Sequence, residues 1–371
     1  MLKRTVKNIY CLGVKELISL FRDYLLLILI VYSFSAAIVV ASRGKPDSLK
    51  SAAIAVVDED HSRLSRKIAD AFFPPMFIPA KEIPRNMIDR EMDTGAYTFV
   101  LVIPVNFERD LLAGRDPEIQ LNVDATRMAQ AFTGAGYIQQ IINGEVNDYL
   151  QIKDTDSLAR TVIRNRFNPN LTQGWFEAAV QLVNNITMLA IILTGAALIK
   201  ERENGTLEHL LVMPVNAFEI MASKIWSMMA VVLFAATLSV IFVVHIFLAV
   251  PIEGSILLFV VGVALHLFAA TSLGIFLACI AQNMPQLGML LILILLPLQM
   301  LSGGMTPKES MPEWIQHVMQ IAPTTHFVEF SQAILYRGAG LSVVWLPFLK
   351  LLIIGGILFL ISLSRFRKSV A

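Results

Sequence analysis

Residues 256–281 read ILLFVVGVALHLFAATSLGIFLACIA and contain no Asp, Glu, Lys or Arg. A helix needs about 20 mostly apolar residues to cross the core of a bilayer, so this stretch predicts a membrane span. Five further stretches are similarly apolar. The six predicted spans are Tyr24–Ala41, Ala178–Ile199, Ile225–Val250, Ile256–Ala281, Leu287–Leu301 and Val343–Leu363. The fifth is short and contains Pro297, which predicts a tilt, a kink or a re-entrant turn.

The charged residues are distributed unevenly along the chain. The 371 residues are 56% hydrophobic and 16% charged, against roughly 45–50% and about 25% in soluble domains. The 133 residues from Arg43 to Trp175 hold 16 Lys and Arg and 18 Asp and Glu, more than half of all charges. This composition excludes an ordinary soluble enzyme. It predicts an α-helical integral membrane protein with six transmembrane helices and an α/β domain inserted between the first and second spans. The net charge of +1 does not favour nucleic acid as a partner.

The inserted segment alternates between strand and helix patterns. Such alternation predicts a small α/β domain with a partly parallel sheet. The predicted strands are Ala52–Val57, Tyr97–Ile103 and Glu118–Val123, and the predicted helices are Ser62–Phe72, Arg85–Asp93, Asn106–Leu112 and Thr126–Tyr149.

Basic residues in the short segments beside the spans predict the orientation in the membrane. They concentrate at the N-terminus, in residues 200–224 and in the C-terminal tail, so these three regions are predicted to be cytoplasmic and the inserted domain extracytoplasmic. Residues 2–22 place apolar and basic side chains at helical spacing, which predicts an interfacial helix on the inner leaflet. The alternative is a cytoplasmic extension of the first span.

The inserted segment contains few candidates for chemistry. Asp58, Asp60 and His61 follow a predicted strand, where they either form a ligand site or cap the next helix and face water. The sequence Gly134-Ala135-Gly136 matches no nucleotide-binding loop and predicts close helix packing. Cys11 and Cys279 are far apart and fit neither a disulfide framework nor a metal site. With no catalytic constellation in the sequence, we expect a protein that is not an enzyme.

Residues 200–214 read KERENGTLEHLLVMP. Gly205 is expected to end the second span's helix, Thr206 to cap a short helix with leucines on one face, and Pro214 to end it. Asn216 and Glu219 then resemble a capping box. A short exposed amphipathic helix is suited to docking in the groove of a partner protein, and an ordinary polar turn is the alternative.

The pattern Glu201-Arg202-Glu203-x-Gly205-Thr206-Leu207-Glu208-x-Leu210-Leu211-x-x-Pro214 resembles the signature of type-2 ABC transporter permeases, the membrane subunits of bacterial exporters. Residues 103–114, followed by Val123-Asp124, are similar to the extracytoplasmic domain of the subgroup with a large first loop. Residues 301–327 are similar to the family's outer re-entrant segment. Leu301 to Met305 also imitates the signature loop of ABC ATPases. Because the chain has no G-x-x-x-x-G-K-[ST] loop, we interpret that match as coincidence.

The resemblance implies that Glu201, Arg202, Glu203, Gly205, Thr206, Leu207, Glu208, Leu210, Leu211 and Pro214 couple the permease to an ABC ATPase subunit. It implies no cofactor in this chain, since ATP and Mg would be bound by that partner. It further implies a bacterial inner membrane location and a homodimer or a heterodimer with a paralogous permease. A periplasmic adaptor (membrane fusion) protein is a further partner that the resemblance allows.

The predicted organisation combines these boundaries. It comprises a cytoplasmic interfacial helix in residues 1–23, a first transmembrane helix in 24–42, the extracytoplasmic α/β domain in 43–175, and a transmembrane domain in 176–371 with a cytoplasmic coupling segment in 200–224 and an outer re-entrant segment in 302–342.

Polar residues inside the predicted spans are candidates for a translocation pathway. Gln181, Asn184 and Asn185 share one face of the second span, with Thr194 further along, and Gln299 lies beside Pro297 in the fifth. Because polar groups facing lipid are costly, this stripe either lines a substrate route or joins helices by hydrogen bonds. For His245 and His266 a hydrogen-bonded packing role is favoured over a proton relay.

These features predict a permease that exports hydrophobic or amphiphilic molecules such as drugs. The alternative is an ATP-independent membrane scaffold or sensor with an extracytoplasmic ligand-binding domain.

Overall fold

The computed structural model describes residues 2–44, 52–124, 128–150, 173–206, 214–306 and 308–370. The chain divides into two compact units. The helical unit comprises Met1–Lys45 and Arg166–Ala371, and the α/β unit comprises Pro46–Asn165.

The described helices, in chain order, are α1 (Leu2–Phe21), α2 (Tyr24–Phe34), α3 (Ala36–Gly44), α4 (Arg63–Asp70), α5 (Ile88–Asp93), α6 (Phe107–Leu112), α7 (Met128–Tyr149), α8 (Gln173–Glu203), α9 (Ala217–Leu238), α10 (Ile256–Ile280), α11 (Met284–Met300), α12 (Glu313–Met319), α13 (Pro323–Leu335) and α14 (Leu341–Val370). The described strands are β1 (Ile54–Asp58), β2 (Lys81–Glu82), β3 (Phe99–Ile103) and β4 (Gln120–Val123). A π-helical segment, Ser239–Phe247, continues α9, and 3₁₀ turns occupy Arg85–Met87 and Lys308–Ser310.

Five stretches of the helical unit are long and apolar enough to cross a membrane, counting only the described part of the chain. They are Tyr24–Gly44, Gly174–Glu203, Ala217–Phe247, Ile256–Ile280 and Leu341–Lys368. These stretches overlap five of the six predicted spans. The remaining prediction falls on α11, whose 17 residues extend only about 26 Å at 1.5 Å per residue, less than the roughly 30 Å of a bilayer core. A sixth span is therefore not confirmed.

Of the five stretches, the one in α8 has the largest fraction of buried residues. It is packed against α3, α9, α10, α11 and α13. Helices α8 and α10 approach each other closely because α10 has a glycine, Gly274, at the contact. A Cβ atom on Gly274 would lie 2.7 Å from the carbonyl oxygen of Ile191. Small residues let membrane helices approach in this way and strengthen their packing. The core of the unit is consequently built around α8.

Helix α1 is separate from the first span. It ends at Phe21, and Asp23 caps the following helix by accepting a hydrogen bond from the backbone N–H of Leu26 at 3.4 Å. A second break at Ser35 separates α2 from α3. This break supports a separate helix in residues 2–22, and its position on the inner leaflet stays a prediction.

The α/β unit contains a four-stranded sheet of order β2-β1-β3-β4. Strand β1 is parallel to β2 and β3, whereas β4 is antiparallel to β3. One sheet face packs against α4 and α7 through Ile54, Val56 and Leu101, which form a common apolar core with Leu64 and Ile138. The partly parallel sheet is as predicted, and the predicted strands and helices are observed within three residues of those predicted ends that the structure describes. Strand β2 was not predicted.

The acidic cluster after β1 makes helix-capping contacts. The side chain of Asp58 accepts hydrogen bonds from the backbone N–H groups of Asp60 and His61 and, at 2.7 Å, from the hydroxyl of Ser65 in α4. Asp60 accepts the backbone N–H of Glu108 at 3.1 Å. These bonds disfavour a ligand site, because they occupy carboxylate oxygens with donors of the same unit, and the cap of α4 itself is the Ser62 side chain, which accepts the backbone N–H of Ser65 at 3.0 Å.

Glu108 joins α4, α6 and α7. Its Oε2 accepts hydrogen bonds from the backbone N–H groups of Arg63 and Leu64, at 3.0 and 3.1 Å. Its Oε1 accepts a hydrogen bond from the Tyr149 hydroxyl at 2.5 Å. The Tyr149 hydrogen bond is the main cause that holds the pKa of Glu108 below its usual range. Since these donors favour the ionised carboxylate, its contribution to stability is complete above the ordinary pKa of a carboxyl group and is lost as the pH falls through the lowered pKa.

We expect Glu108→Ala to destabilise the N-terminal turn of α4 by about 1–2 kcal/mol, because Arg63 and Leu64 lose their acceptor. Hydrogen exchange of the full-length protein, followed by mass spectrometry, should show about tenfold faster exchange in residues 61–70 at neutral pH. Glu118→Ala, at an exposed position of the same unit, is the control. Equal exchange in the two variants would contradict the capping role.

Candidate functional site

The charged residues at the end of α8 contact the ends of two neighbouring helices. The Arg202 guanidinium donates to the carbonyl oxygens of Ala281 at 2.7 Å and Ala278 at 3.3 Å, at the end of α10. Glu203 Oε1 accepts the backbone N–H of Met284 at 2.8 Å, at the start of α11. The last carbonyl groups of a helix lack partners within it, so a cation such as Arg202 is favourable there. The first N–H groups of a helix also lack partners, so an anion such as Glu203 is favourable at a helix start. These two residues thereby join α8 to α10 and α11.

The third charged residue, Glu201, binds a buried lysine. Lys224 of α9 is 1% exposed. Its ammonium nitrogen lies 2.7 Å from Glu201 Oε2 and 3.1 Å from Oε1 of Glu16 in α1, and it donates to the carbonyl oxygen of Ala197 at 3.4 Å. Both carboxylates are buried as well. Since an isolated buried charge is strongly unfavourable, this lysine requires α1 and α8 to stay in place.

Lys15 adds a second lysine at the solvent-exposed edge of this arrangement. Its ammonium group is half exposed and donates to Glu201 Oε1 at 2.9 Å. Lys15, Glu16, Glu201 and Lys224, here called the Lys224 cluster, thus pair two cations with two anions. Burial is the main cause that raises the pKa of Glu16, and the positive charge of Lys224 opposes this shift. The cluster is therefore a charge-balanced junction of α1, α8 and α9.

A second contact holds α1 against α9. The indole N–H of Trp226 donates to the carbonyl oxygen of Ile9 at 3.0 Å, and the Tyr10 ring lies parallel to the indole at 6.0 Å. Gly13 permits this approach, because a Cβ atom there would lie 2.2 Å from the Trp226 ring. The contact therefore requires a residue without a side chain at position 13.

A cavity of about 520 Å³ adjoins the Lys224 cluster within the helical unit. Charged groups of α1 and α8 line one part of it, including Lys15, Glu201 and Lys200. Apolar residues of α2 and α8, such as Leu26 and Leu193, line another part. The site therefore combines an amphipathic cavity with an ionic junction.

Helix α8 ends at the position that the sequence predicts, and the predicted cap of a following helix at Thr206 stays a prediction. Gly205 has a positive φ of 67°, and its N–H bonds to the carbonyl of Arg202 at 3.1 Å, as at a helix end. The Thr206 hydroxyl donates back to the carbonyl oxygen of Glu201 at 3.1 Å. The predicted coupling residues Leu207, Glu208, Leu210 and Leu211 lie outside the described residues. Pro214 is described and exposed.

The predicted capping box at the start of α9 is present. Asn216 and Glu219 exchange side-chain and backbone hydrogen bonds. Glu219 Oε2 also accepts the side-chain amide of Asn8 in α1 at 3.1 Å. The same carboxylate that caps α9 therefore gives a further link to α1.

One predicted pathway residue of α8, Asn185, makes a helix-joining contact. Asn185 is buried; it donates to the carbonyl oxygen of Ser33 in α2 and accepts from Gln181 at 2.9 Å. Thr194 is fully buried and donates to the carbonyl of Ala190 in its own helix at 2.7 Å. The contact with Ser33 favours the helix-joining interpretation for Asn185, whereas the Thr194 bond lies within α8 and leaves the role of Thr194 a prediction. Gln181, Asn184 and Gln299 are half-buried, and a pathway role for them stays a prediction.

Both histidines of the spans have packing contacts. His266 is fully buried, stacks on Phe327 at 4.0 Å, and lies 2.9 Å from the Thr187 hydroxyl. His245 Nδ1 lies 3.2 Å from the carbonyl oxygen of Val250, near the end of the π-helical segment. These partners support the predicted packing role.

The sequence pattern does not mark Glu16 as a site residue, and it marks Lys224 only as a flanking positive charge. One signal was available. Lys224 lies inside an apolar stretch, Ala217–Phe247, and an ionisable residue in such a stretch needs a partner. The partner's identity does not follow from the pattern, because Glu16 and Glu201 belong to segments distant in sequence.

Comparison with known proteins identifies the family. Residues 24–364 match the model of the ABC-2 family transporter protein. The chain belongs to the ABC-2 transporter family. It is 56% identical to the inner membrane transport permease YhhJ of Escherichia coli K12, over 99% of both chains. It is 26% identical to the probable multidrug ABC transporter permease YbhR of the same strain, over 96% of this chain and 97% of that one.

This assignment makes the protein an ABC-2 type transport permease and a multi-pass inner membrane protein. The family implies an ABC ATPase partner and is consistent with dimerisation. The Lys224 cluster therefore includes Glu201, the first residue of the pattern that resembles the family signature.

We expect Lys224→Met to lower the free energy of unfolding of this permease by about 3–5 kcal/mol, because two buried carboxylates lose their counter-charge. The measurement is thermal unfolding of the detergent-solubilised protein. Lys200→Met is the matched control, since Lys200 forms a half-exposed ion pair with Asp23 at 3.1 Å and should cost no more than about 1 kcal/mol. Adding Glu16→Gln and Glu201→Gln to Lys224→Met should recover part of the loss. Equal effects of the two lysine variants would disprove the role of the cluster.

We expect Gly13→Ala to loosen α1 from α9, because the added methyl group collides with the Trp226 ring. The fluorescence of Trp226, in a variant whose other three tryptophans are replaced by Phe, should shift to longer wavelength as water reaches the indole. Gly288→Ala, whose Cβ meets nothing within 4 Å, is the control. An unchanged spectrum in Gly13→Ala would show that α1 accommodates the methyl group.

Proposed function

We propose that this permease is the membrane subunit of an ATP-driven exporter, energised by a separate ABC ATPase chain. Its cargo would be hydrophobic or amphiphilic molecules, such as drugs, taken from the cytoplasm or the inner leaflet. Two relatives support the cargo class, since YbhR and YbhS of E. coli are both named as probable multidrug permeases.

The observation that carries the coupling part of the proposal is the set of contacts at the end of α8. Glu201 pairs with α1 and α9, Arg202 bonds to the end of α10, and Glu203 bonds to the start of α11. A force applied to the segment that follows Glu203 would therefore reach four helices through short polar contacts. Transmission through a rigid junction of this kind is one way in which ligand-driven switches move packed helices.

The charge distribution supports the side from which the ATPase approaches. Lys and Arg concentrate in the N-terminal segment, in residues 200–224 and in the C-terminal tail. By the positive-inside rule these regions are cytoplasmic. In this orientation the junction at the end of α8 faces the ATPase, α1 lies on the inner leaflet, and the α/β unit is extracytoplasmic.

The exposed side of α11 supports a dimeric transporter. Met289, Ile292 and Leu293 are each more than 60% exposed, while Leu287, Leu291 and Leu295 pack into the unit. We propose that a second copy or a paralogous permease covers this side, with Gln181, Asn184 and Gln299 near the route between the two. A periplasmic adaptor protein would then contact the extracytoplasmic unit.

The test replaces Leu207, Leu210 and Leu211 together with Ala and measures substrate-stimulated ATP hydrolysis and efflux in proteoliposomes that contain the ATPase. We expect both to fall at least tenfold while the melting temperature is unchanged, because the docking face is lost. A matched control replaces three exposed apolar residues of the spans, Leu257, Leu352 and Leu360, with Ala.

Two outcomes would contradict the proposal. If the leucine variant kept ATP hydrolysis and efflux, the coupling role of this segment would be wrong. If the permease acted without any ATPase, the ATP-independent scaffold or sensor would be the better description.

A further inference from the structure

One face of α7 borders a cavity of the α/β unit that is open along the exposed residues Gly136, Gln139 and Asn143. The cavity measures about 490 Å³ and lies against the sheet residues Leu101 and Leu121 and against α6. Its lining follows α7 from Ala135 to Val146, a distance of about 16 Å. This volume falls within the range of roughly 300–1,000 Å³ that is typical of small-molecule sites.

Helix α7 is held on both sides of the cavity. Near its start, a Cβ atom on Gly134 would lie 2.2 Å from the Phe99 ring, so the backbone rests directly on the sheet. At its other end, the Tyr149 hydroxyl bonds to Glu108, and Glu145 pairs with Lys67 of α4 at 3.0 Å. Because these contacts restrain α7 at both ends, the space between the helix and the sheet has a defined width.

The two glycines of the Gly134-Ala135-Gly136 sequence have different roles. Gly134 makes the close packing that the sequence predicts. Gly136 borders the cavity, and a Cβ atom there would meet nothing within 4 Å. Small residues at positions 135 and 136 therefore contribute to the space beneath α7.

The residues that line the cavity suit an amphiphilic ligand, because most are apolar and two carry amide groups. Its inner wall is apolar, and none of its described members carries a charge. Gln139 and Asn143, one helical turn apart on α7, are exposed and border the opening. An apolar slot with two amides at its mouth suits an aliphatic chain with a hydroxyl or amide head group, whereas an ionised head group would lack a counter-charge among these residues.

We propose that the α/β unit binds an uncharged, single-chain amphiphile in this cavity. The aliphatic chain lies along α7, and the head group bonds to the side chains of Gln139 and Asn143. Binding requires neither ATP nor transport, so the inference stands apart from the proposed export function.

The experiment uses the full-length permease in nanodiscs and a diazirine-bearing analogue of monodecanoylglycerol, below its critical micelle concentration. After irradiation, labelled peptides are identified by mass spectrometry. Labelling of the apolar spans measures the probe dissolved in the bilayer and serves as the internal reference. We expect additional labelling in residues 111–121 and 135–146 that excess monodecanoylglycerol removes and equal decanoate does not.

Gly136→Leu is the diagnostic variant, because its side chain would enter the cavity and because leucine favours a helix more than glycine does. It should reduce the labelling of residues 111–121 and 135–146 at least tenfold while leaving the spans unchanged. Gly144→Leu is the matched control, since a Cβ atom at this position of the same helix also meets nothing within 4 Å but does not line the cavity.

The proposal would be overturned if these two peptides carried no more label than residues 85–93, or if the two glycine variants were labelled alike. Competition by decanoate as strong as that by monodecanoylglycerol would overturn the preference for an uncharged head group.

Discussion

The ammonium group of Lys224 lies in the interior of the helical unit with a carboxylate on either side, one from α1 and one from α8. Taking a charge out of water is unfavourable by several kcal/mol, and only close, well-formed ionic contacts offset that penalty. Withdrawal of Glu16 or of Glu201 would therefore remove one of the two carboxylates that neutralise this buried ammonium group. The positions of α1, α8 and α9 at this end of the unit follow from that constraint, and the Trp226 contact with α1 reinforces it.

The residues that resemble the family signature consequently have a structural role within this chain. Arg202 and Glu203 satisfy the ends of α10 and α11, and Glu201 neutralises Lys224. Since α8 is also the most buried of the apolar stretches, it connects the signature to the core of the unit. A coupling segment attached to such a helix has a direct mechanical route into the membrane part.

In the α/β unit, polar side chains add to the apolar core in fixing the positions of the helices. Glu108 caps α4 and binds Tyr149 of α7, so one carboxylate sets the spacing of three helices. That spacing leaves a cavity beside α7, between the helix, α6 and the sheet residues Leu101 and Leu121. The binding site that we infer depends on this arrangement of two pinned ends and small residues between them.

The sequence by itself determined most of the helices and strands. Apolar length predicted the membrane class, alternation predicted the strands and helices of the insertion, and local spacing predicted the Asn216–Glu219 capping box, because each of these depends on near neighbours in the chain. Only the tertiary structure decided the partners. It paired Lys224 with Glu16 and Glu201, assigned Asn185 to a carbonyl of α2, and separated the roles of Gly134 and Gly136. These contacts join segments that are distant in sequence, and their geometry depends on how whole helices pack, which no local pattern encodes.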